Sequence, residues 1–386
     1  MDFGLSEEQE MIVHTVREFV ERELYPLEAE VERTGTVPRE VGRDIQTKVQ
    51  KLGFYAPNIP TQYGGGGLDR VTFTLLEREL GRANMGLGLF WGRPSEILIG
   101  CNDEQKERYL YPSVRGEKID ALAMSEPDAG SDVRGMTCAA RRDGDHWIIN
   151  GTKHFISHAD HADFVILFAA SGEEDSARGK RKLITAFLID KGTPGFVVRP
   201  GYRNVSHRGY TNSILEFTDC RVPKSAVLGS VHKGFEVANT WLGATRLQVA
   251  ATCLGRAERA LESAKQWAVD REQFGQQIGK FQGVAFKLAD MAVELRAAEL
   301  LTLEAAWKLE HKIATDTDMA IAKLKASEML AMVADEALQI HGGMGLMTEL
   351  PLERIWRDAR IERIWDGTSE VQRHIISRAL LRPLGG

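Results

Sequence analysis

The stretch Arg363-Ile364-Trp365-Asp366-Gly367-Thr368-Ser369-Glu370 sets one carboxylate between an aromatic ring and a glycine, a residue that permits backbone angles closed to others. Thr368 or Ser369 can cap the helix that the spacing of Val371, Ile375, Ile376 and Leu380 predicts over residues 370–381. Asp366 is thereby placed just ahead of a helix N-terminus, whose free N–H groups attract phosphate or carboxylate. The plain alternative is a helix cap beside a solvated Asp, and only the rest of the chain decides between them.

Several other segments carry chemistry. Met124-Ser125-Glu126-Pro127-Asp128-Ala129-Gly130-Ser131-Asp132 joins hydroxyls to small residues where a strand gives way to a loop. Ser125, Ser131 and exposed amides could hold the polar edge of a ring or a ligand carbonyl; alternatively the segment is only a turn. Phe155-Ile156-Ser157 ends a strand with an aromatic ring and a hydroxyl, able to cover and hydrogen-bond a flat heterocycle. Gln339-Ile340-His341-Gly342-Gly343-Met344-Gly345 ends a long helix with glycines that let phosphate or sugar approach the backbone, more glycine than a C-cap needs. Arg271-Glu272-Gln273-Phe274-Gly275 offers a cation for pyrophosphate. Gly64 to Gly67 follow no clear strand and read as a loop, not a dinucleotide fingerprint. The spacing of His154, His158 and His161 suits neither a helix face nor a strand, which argues against a metal site.

The elements that must position these residues divide by periodicity. A chain of 386 residues, 43% hydrophobic, can bury a large core and is long for one compact unit, so two or three subdomains are expected. Residues 1–120 read as helical: a capping box Ser6-Glu7-Glu8-Gln9, then helices over 39–52 and 70–82. Residues 121–232 read as an antiparallel β-barrel or sandwich, with short alternating runs at 138–142, 147–149, 164–168, 183–189, 196–199 and 214–217. Asp143-Gly144-Asp145 and Asn150-Gly151 are hairpin signals, and 171–182 reads as a solvated loop. Residues 233–386 return to long helical periods, 234–270, 281–312 and 316–340, which pack best as an up-down bundle, and a C-terminal four-helix bundle is expected. The fold class expected is thus α+β multidomain. A net charge of -6 with scattered Lys and Arg argues against nucleic acid. Cys101, Cys138, Cys220 and Cys253 form no C-x-x-C pair, which suits a reducing compartment. No leader signal and no run of transmembrane length are visible, so a cytoplasmic protein without membrane insertion is the expectation.

Together these segments resemble the acyl-CoA dehydrogenase family, over essentially the whole chain. Met124 to Asp132 matches its first signature; Gln339 to Asp358, with Gly342, Gly343, Gly345, Glu349, Arg354 and Asp358 in place, matches its second. The resemblance implies FAD between the β domain and the C-terminal bundle, a homotetramer, and α,β-dehydrogenation of an acyl-CoA thioester. A base takes the α-proton as hydride leaves the β-carbon for flavin N5, and the electrons pass to electron-transferring flavoprotein. Carried over, Leu122, Met124, Ser125, Gly130 and Ser131 would line the flavin, Ser131 also touching the CoA arm. Phe155 and Ser157 would flank the isoalloxazine ring, the Ser157 hydroxyl near N5. Arg271, Gln273, Phe274, Phe281, Gln282, Gln339, Gly342 and Gly343 would bind FAD from the neighbouring subunit, as would Thr368 and Glu370. Arg246, Gly367 and Arg378 would meet acyl-CoA.

Asp366 falls where the family base is usually Glu. Asp is shorter by one methylene, roughly 1.5 Å of reach, and a slightly stronger acid. Some members carry the base on the first bundle helix, but Leu242-Gly243-Ala244-Thr245-Arg246 offers no carboxylate, so Asp366 is left as the base. Burial beside Trp365 should raise its pKa. Phe90 and Trp91 are expected to fill the acyl pocket, favouring a short, branched or cyclic acyl group, with Gly243 leaving room; Arg93 would recognise a polar substituent or make a surface ion pair. Two alternatives share the architecture: a nitroalkane-oxidase-like flavoprotein oxidase with an Asp base, and a flavin-binding relative without dehydrogenase activity.

Overall fold

Ser6 starts the first helix, α1 (Glu7–Phe19), through the reciprocal box expected of it: its hydroxyl accepts the Gln9 N–H and the Gln9 side chain accepts the Ser6 N–H. The structure, a computed structural model, describes residues 4–176 and 179–384. Helices α2 (Arg39–Leu52) and α3 (Arg70–Gly81) follow where the periodicity predicts them. Ile12, Val16, Val49, Leu76 and Leu80 face a shared N-terminal core. The remainder of this region, up to Val114, is a series of short helical turns.

The middle domain is one sheet: β1 (Asp120–Ala123), β2 (Ala139–Asp143), β3 (His146–Ser157), β4 (Phe164–Ser176), β5 (Gly179–Asp190), β6 (Phe196–Pro200), β7 (Asn212–Pro223) and β8 (Val227–Leu228). The path is β6-β7-β3-β2-β4-β5-β8, with β1 beside β4. Its pairings are antiparallel except for β1 and β2, which run parallel to β4, so the wholly antiparallel reading is corrected there. Asp143 and His146 close the β2–β3 hairpin as expected. Asn150-Gly151 does not turn the chain. It lies inside β3 at a bulge, where Gly151 (φ +143) lets β3 cross close against Cys138, and a side chain would collide with it. The segment taken for a solvated loop is the outer half of the β4–β5 pair, carrying cross-strand ion pairs Glu173–Lys180 and Glu174–Arg181. Exposed charges hid a strand because both of its faces meet water there; residues 177–178 of that reading lie outside the described ones.

The C-terminal domain is built on three long helices, α4 (Gly234–Asp270), α5 (Gln282–Glu310) and α6 (Asp316–His341), within a residue or two of expectation. α7 (Leu352–Glu362), which the sequence reading left unassigned, and α8 (Ser369–Leu381) pack against α6. Small residues fill the core: Ala250, Ala257, Ala260, Ala264, Ala326, Ala334 and Ala337 are fully buried. Along α8, Val371, Ile375 and Ile376 are half-buried, but Leu380 is exposed, so the predicted stripe is covered only at its start.

α3 crosses α4 at glycines. A side chain on Gly81 would overlap the Thr252 backbone, and one on Gly255 would overlap the Arg78 carbonyl. Ion pairs fasten this crossing and the elements around it: Arg78 of α3 to Glu258 of α4 (2.7 Å) and Glu299 of α5 (3.0 Å), Arg17 of α1 to the buried Glu79 of α3 (2.8 Å), and Arg259 of α4 to the buried Glu28 (2.9 Å). Gly255→Ala is expected to destabilise the protein by about 1–3 kcal/mol, because the helices must separate. Gly243→Ala, on the same helix with nothing within 4 Å of the added carbon, should be neutral or stabilising. Urea unfolding of both variants checks the contrast.

Candidate active site

The cleft between the three domains is a cavity of about 1260 Å³. Its wall begins on β1, whose alternation sends Ala121 and Ala123 into the sheet core and leaves Asp120, Leu122 and Met124 on the cavity side. The loop that follows, Ser125 to Asp132, is fixed by a buried carboxylate. Glu126 accepts the amide and hydroxyl of Thr137 (2.5 and 2.8 Å), the Cys138 N–H (3.0 Å) and the ammonium of Lys153 (2.7 Å), which also donates to the Met124 carbonyl (2.8 Å). Burial works against this carboxylate, but Lys153 and Thr137 hold it below its ordinary pKa. Ser125, Gly130 and Ser131 are thereby presented to the cavity.

At the end of β3 a bulge turns the chain. Phe155 (φ +54) and His158 (φ +46) adopt left-handed angles, and the Phe155 ring stands 56% exposed on the cavity wall. Ser157 lies beside it and shares a hydrogen bond with the Tyr210 hydroxyl; burial and this cavity's charges push Tyr210 up to about 12.

The opposite wall is the turn from α7 into α8. Asp366 (φ +49) and Gly367 (φ +90) are both left-handed, and Thr368 caps α8 by accepting the Val371 N–H. Two buried side chains hold the turn. Lys323 of α6 donates to the carbonyls of Trp365 (3.1 Å) and Gly367 (2.8 Å), and Gln372 of α8 donates to that of Gly367 (2.8 Å). One turn earlier the fully buried Glu362 is bonded by Arg256, accepts the Trp365 ring N–H (2.6 Å), and lies 3.0 Å from His207 Nε2. Burial opposes its charge, yet Arg256, His207 and Trp365 hold its pKa at about 2. Among the described residues Asp366 has no such partners. It is half-buried, and burial pushes its carboxyl up to about 6, with Lys323 and Arg246 pulling down and Glu362 pushing up. The rise expected from burial is therefore present.

Of the residues singled out in the sequence, Leu122, Met124, Ser125, Gly130, Ser131, Phe155, Ser157, Arg246, Asp366, Gly367, Thr368 and Arg378 line this one cavity. Arg271, Gln273, Phe274, Phe281, Gln282, Gln339, Gly342, Gly343 and Glu370 do not. Except for Phe281, which is half-buried, they are exposed on the C-terminal domain, Phe274 to 95%. Arg271 and Gly342 cap α4 and α6 at one end of the bundle, where His341 stacks on Trp267 (5.0 Å). Trp91 is corrected: it is fully buried in the N-terminal core against Phe19 (5.2 Å) and Phe54 (6.2 Å), while Phe90 alone of the pair lines the cavity. Arg93 makes no surface pair. It bonds the fully buried Glu77 (2.6 Å) and the Gly88 carbonyl (3.0 Å) at the cavity wall.

A slot with an exposed aromatic ring, adjacent hydroxyls and a strand edge on one side, and a carboxylate on the other, fits a flat redox ring facing a substrate that must lose a proton. Fold and site are thus of the kind that suits a flavin-dependent dehydrogenase. The family models for the acyl-CoA dehydrogenase N-terminal, middle and C-terminal domains match residues 6–117, 121–220 and 232–381. The human mitochondrial short-chain specific acyl-CoA dehydrogenase is 37% identical, covering 98% of this chain and 91% of its own. The caffeyl-CoA reductase-Etf complex subunit CarC of Acetobacterium woodii is 36% identical over 98% of this chain and 99% of its own. The butyryl-CoA dehydrogenase structure from Megasphaera elsdenii superposes with a TM-score of 0.89 at 35% identity, covering 99% of this chain and 100% of its own. The chain belongs to the acyl-CoA dehydrogenase family, FAD-dependent oxidoreductases acting on CH–CH bonds.

Lys323→Met removes both the clamp and a cation. The mutant should unfold about 1–3 kcal/mol more easily, as the Trp365 carbonyl loses its donor. The pH midpoint of any Asp366-dependent step should move above 6, since the charge that lowers its pKa is gone. Urea unfolding and the pH profile of flavin reduction read the two effects separately.

Proposed function

We propose that this protein dehydrogenates an acyl-CoA thioester with Asp366 as the base. The observation that carries the reading is the position of Asp366: the carboxyl lines the same cavity as Phe155 and Ser157, without a bonded cation, at a pKa of about 6. Leu122, Met124, Ser125, Gly130, Ser131, Phe155 and Ser157 would hold FAD, which when bound would supply the hydride acceptor. Asp366 takes the α-proton; at neutral pH it is mostly ionised, while its reduced solvation keeps it more basic than a surface Asp. Arg246 supports a CoA ligand. Burial lowers its pKa, its ion-pair contact is 3.7 Å to the exposed Asp316, and its charge faces the cavity from the Asp366 side. Arg246 and Arg378 together favour an anionic thioester carrier over a nitroalkane. Phe90 on the wall favours a short, branched or cyclic acyl group.

Electron-transferring flavoprotein is the electron acceptor in this reading, a proposal supported by the name of the Acetobacterium relative. A homotetramer accounts for the exposed residues at the end of the bundle. Arg271, Gln273, Phe274, Gln339, Gly342, Gly343 and Glu370 would reach FAD in a neighbouring subunit. Phe286, Val293, Leu300 and Trp307 form an exposed apolar stripe at seven-residue spacing on α5, a face suited to another copy of the chain.

Anaerobic mixing with short, branched or cyclic acyl-CoAs should bleach the flavin band, at a rate that rises with pH through about 6 as Asp366 loses its proton. Asp366→Asn should keep FAD yet slow bleaching about 10²- to 10⁴-fold. Bleaching at the wild-type rate would remove Asp366 from the role. The double variant Phe286→Glu, Trp307→Glu should shift the mass in sedimentation from tetramer toward smaller species and lower the flavin content. A wild-type chain that sediments as a monomer with full FAD contradicts the shared site.

A further inference from the structure

Beyond the flavin wall the cavity changes character. Asp120 sits one alternation below Leu122 on the same strand face and is half-buried. Its partners among the described residues are few: the Ser95 N–H at 3.3 Å and its own backbone amide, and it forms no ion pair there. The nearby cation cannot neutralise it, because the Arg93 guanidinium is committed to Glu77 and the Gly88 carbonyl. His158 contributes no charge: burial lowers its pKa to about 4, and its Nε2 donates to the Asp120 carbonyl (3.1 Å). Tyr55 and Tyr210 line the same cavity, and burial, with the Asp120 charge adding to it, keeps their hydroxyls protonated. The result is a carboxyl with free lone pairs lining a space that a bound acyl group would dry.

We propose that this deep end of the cavity is a specificity subsite for an acyl group bearing a hydroxyl, with Asp120 as the hydrogen-bond acceptor. The inference rests on the reading that an acyl thioester fills the cavity, and it names the class of acyl group. A saturated hydrocarbon pressed against Asp120 would strip its water and return nothing. A second carboxylate, as in a dicarboxylic acyl group, would meet a like charge, while the cavity cations Arg93 and Lys118 are already bonded, Arg93 to Glu77 and the Gly88 carbonyl and Lys118 to the Arg108 carbonyl. A hydroxyl donates to the carboxylate and replaces the water that binding removes from it. Burial raises the Asp120 carboxyl to about 6, so at pH 7.5 it remains chiefly an acceptor.

The test uses the full FAD-loaded chain at pH 7.5 and thioesters matched in carbon number: cyclohexanecarbonyl-CoA against its 4-hydroxy derivative, and butyryl-CoA against 4-hydroxybutyryl-CoA, with glutaryl-CoA as the anionic control. Dissociation constants are read anaerobically from the flavin spectrum. In at least one pair the hydroxylated member should bind more than about tenfold tighter than its alkyl partner, and glutaryl-CoA should bind worst. Asp120→Ala should collapse that ratio toward one, and Asp120→Asn, which keeps an acceptor oxygen, should retain part of it; flavin content shows that each variant is folded. Equal or tighter binding of the alkyl members in both pairs, or a ratio unchanged in Asp120→Ala, overturns the subsite while leaving dehydrogenation intact. Binding of no thioester at all overturns the acyl-CoA reading together with it.

Discussion

A single buried ammonium, that of Lys323, bonds the carbonyls on both sides of Asp366, and the shape of the cavity depends on it. Two successive left-handed residues are costly for any chain, and Asp366 is the costlier because it carries a side chain. The turn persists because Lys323 and Gln372 satisfy carbonyls that otherwise would be buried without donors. This lets a helix end, a carboxylate and a helix start follow within a few residues, so that Asp366 meets the cavity while Thr368 caps α8.

The same stretch sets two carboxyls in opposed electrostatic states. Glu362, with Arg256, Trp365 and His207 around it, is held at about 2 and is structural, tying α7 to α4 and to the loop before β7. Asp366, one turn later, has no side-chain bond to any of the described residues and is pushed up to about 6. Groups whose surroundings drive their pKa values apart in this way divide the labour between holding and reacting. Glu126 repeats the holding role on the other wall, where Lys153 and Thr137 fix the loop that presents Ser125 and Ser131.

Much of this was legible because it is local. The Asp-Gly-Thr-Ser run contains its own turn and cap, the long helices declare themselves by period, and the Ser6 box needs only four residues. What escaped is long-range. Lys323 reads as a surface lysine unless one notices that it falls on the buried stripe with Ala320, Ala326, Ser327 and Leu330. Glu362 finds Arg256 and His207 only after folding. Asn150-Gly151 carries a hairpin signal, yet its glycine answers a close approach by Cys138, just ahead of the neighbouring β2. Trp91 was misplaced because adjacency to Phe90 says nothing about which side of a short helical turn faces the core. The bundle-end residues around Arg271 and Gly342 are exposed in one chain, so their proposed role lies in an assembly that no single-chain reading contains.

Proton abstraction by Asp366 is the central claim, and it can be isolated from redox chemistry. The FAD-loaded protein is incubated in D₂O with a short acyl-CoA analogue that has oxygen in place of the β-carbon and therefore cannot give up hydride. Exchange at the α-carbon is followed by proton NMR. The account predicts α-hydrogen exchange catalysed by the wild-type protein, accelerating as pD rises past the Asp366 ionisation, and near-absent exchange in Asp366→Asn with FAD still bound. Exchange at the wild-type rate in that variant would contradict it and require another base in the cavity.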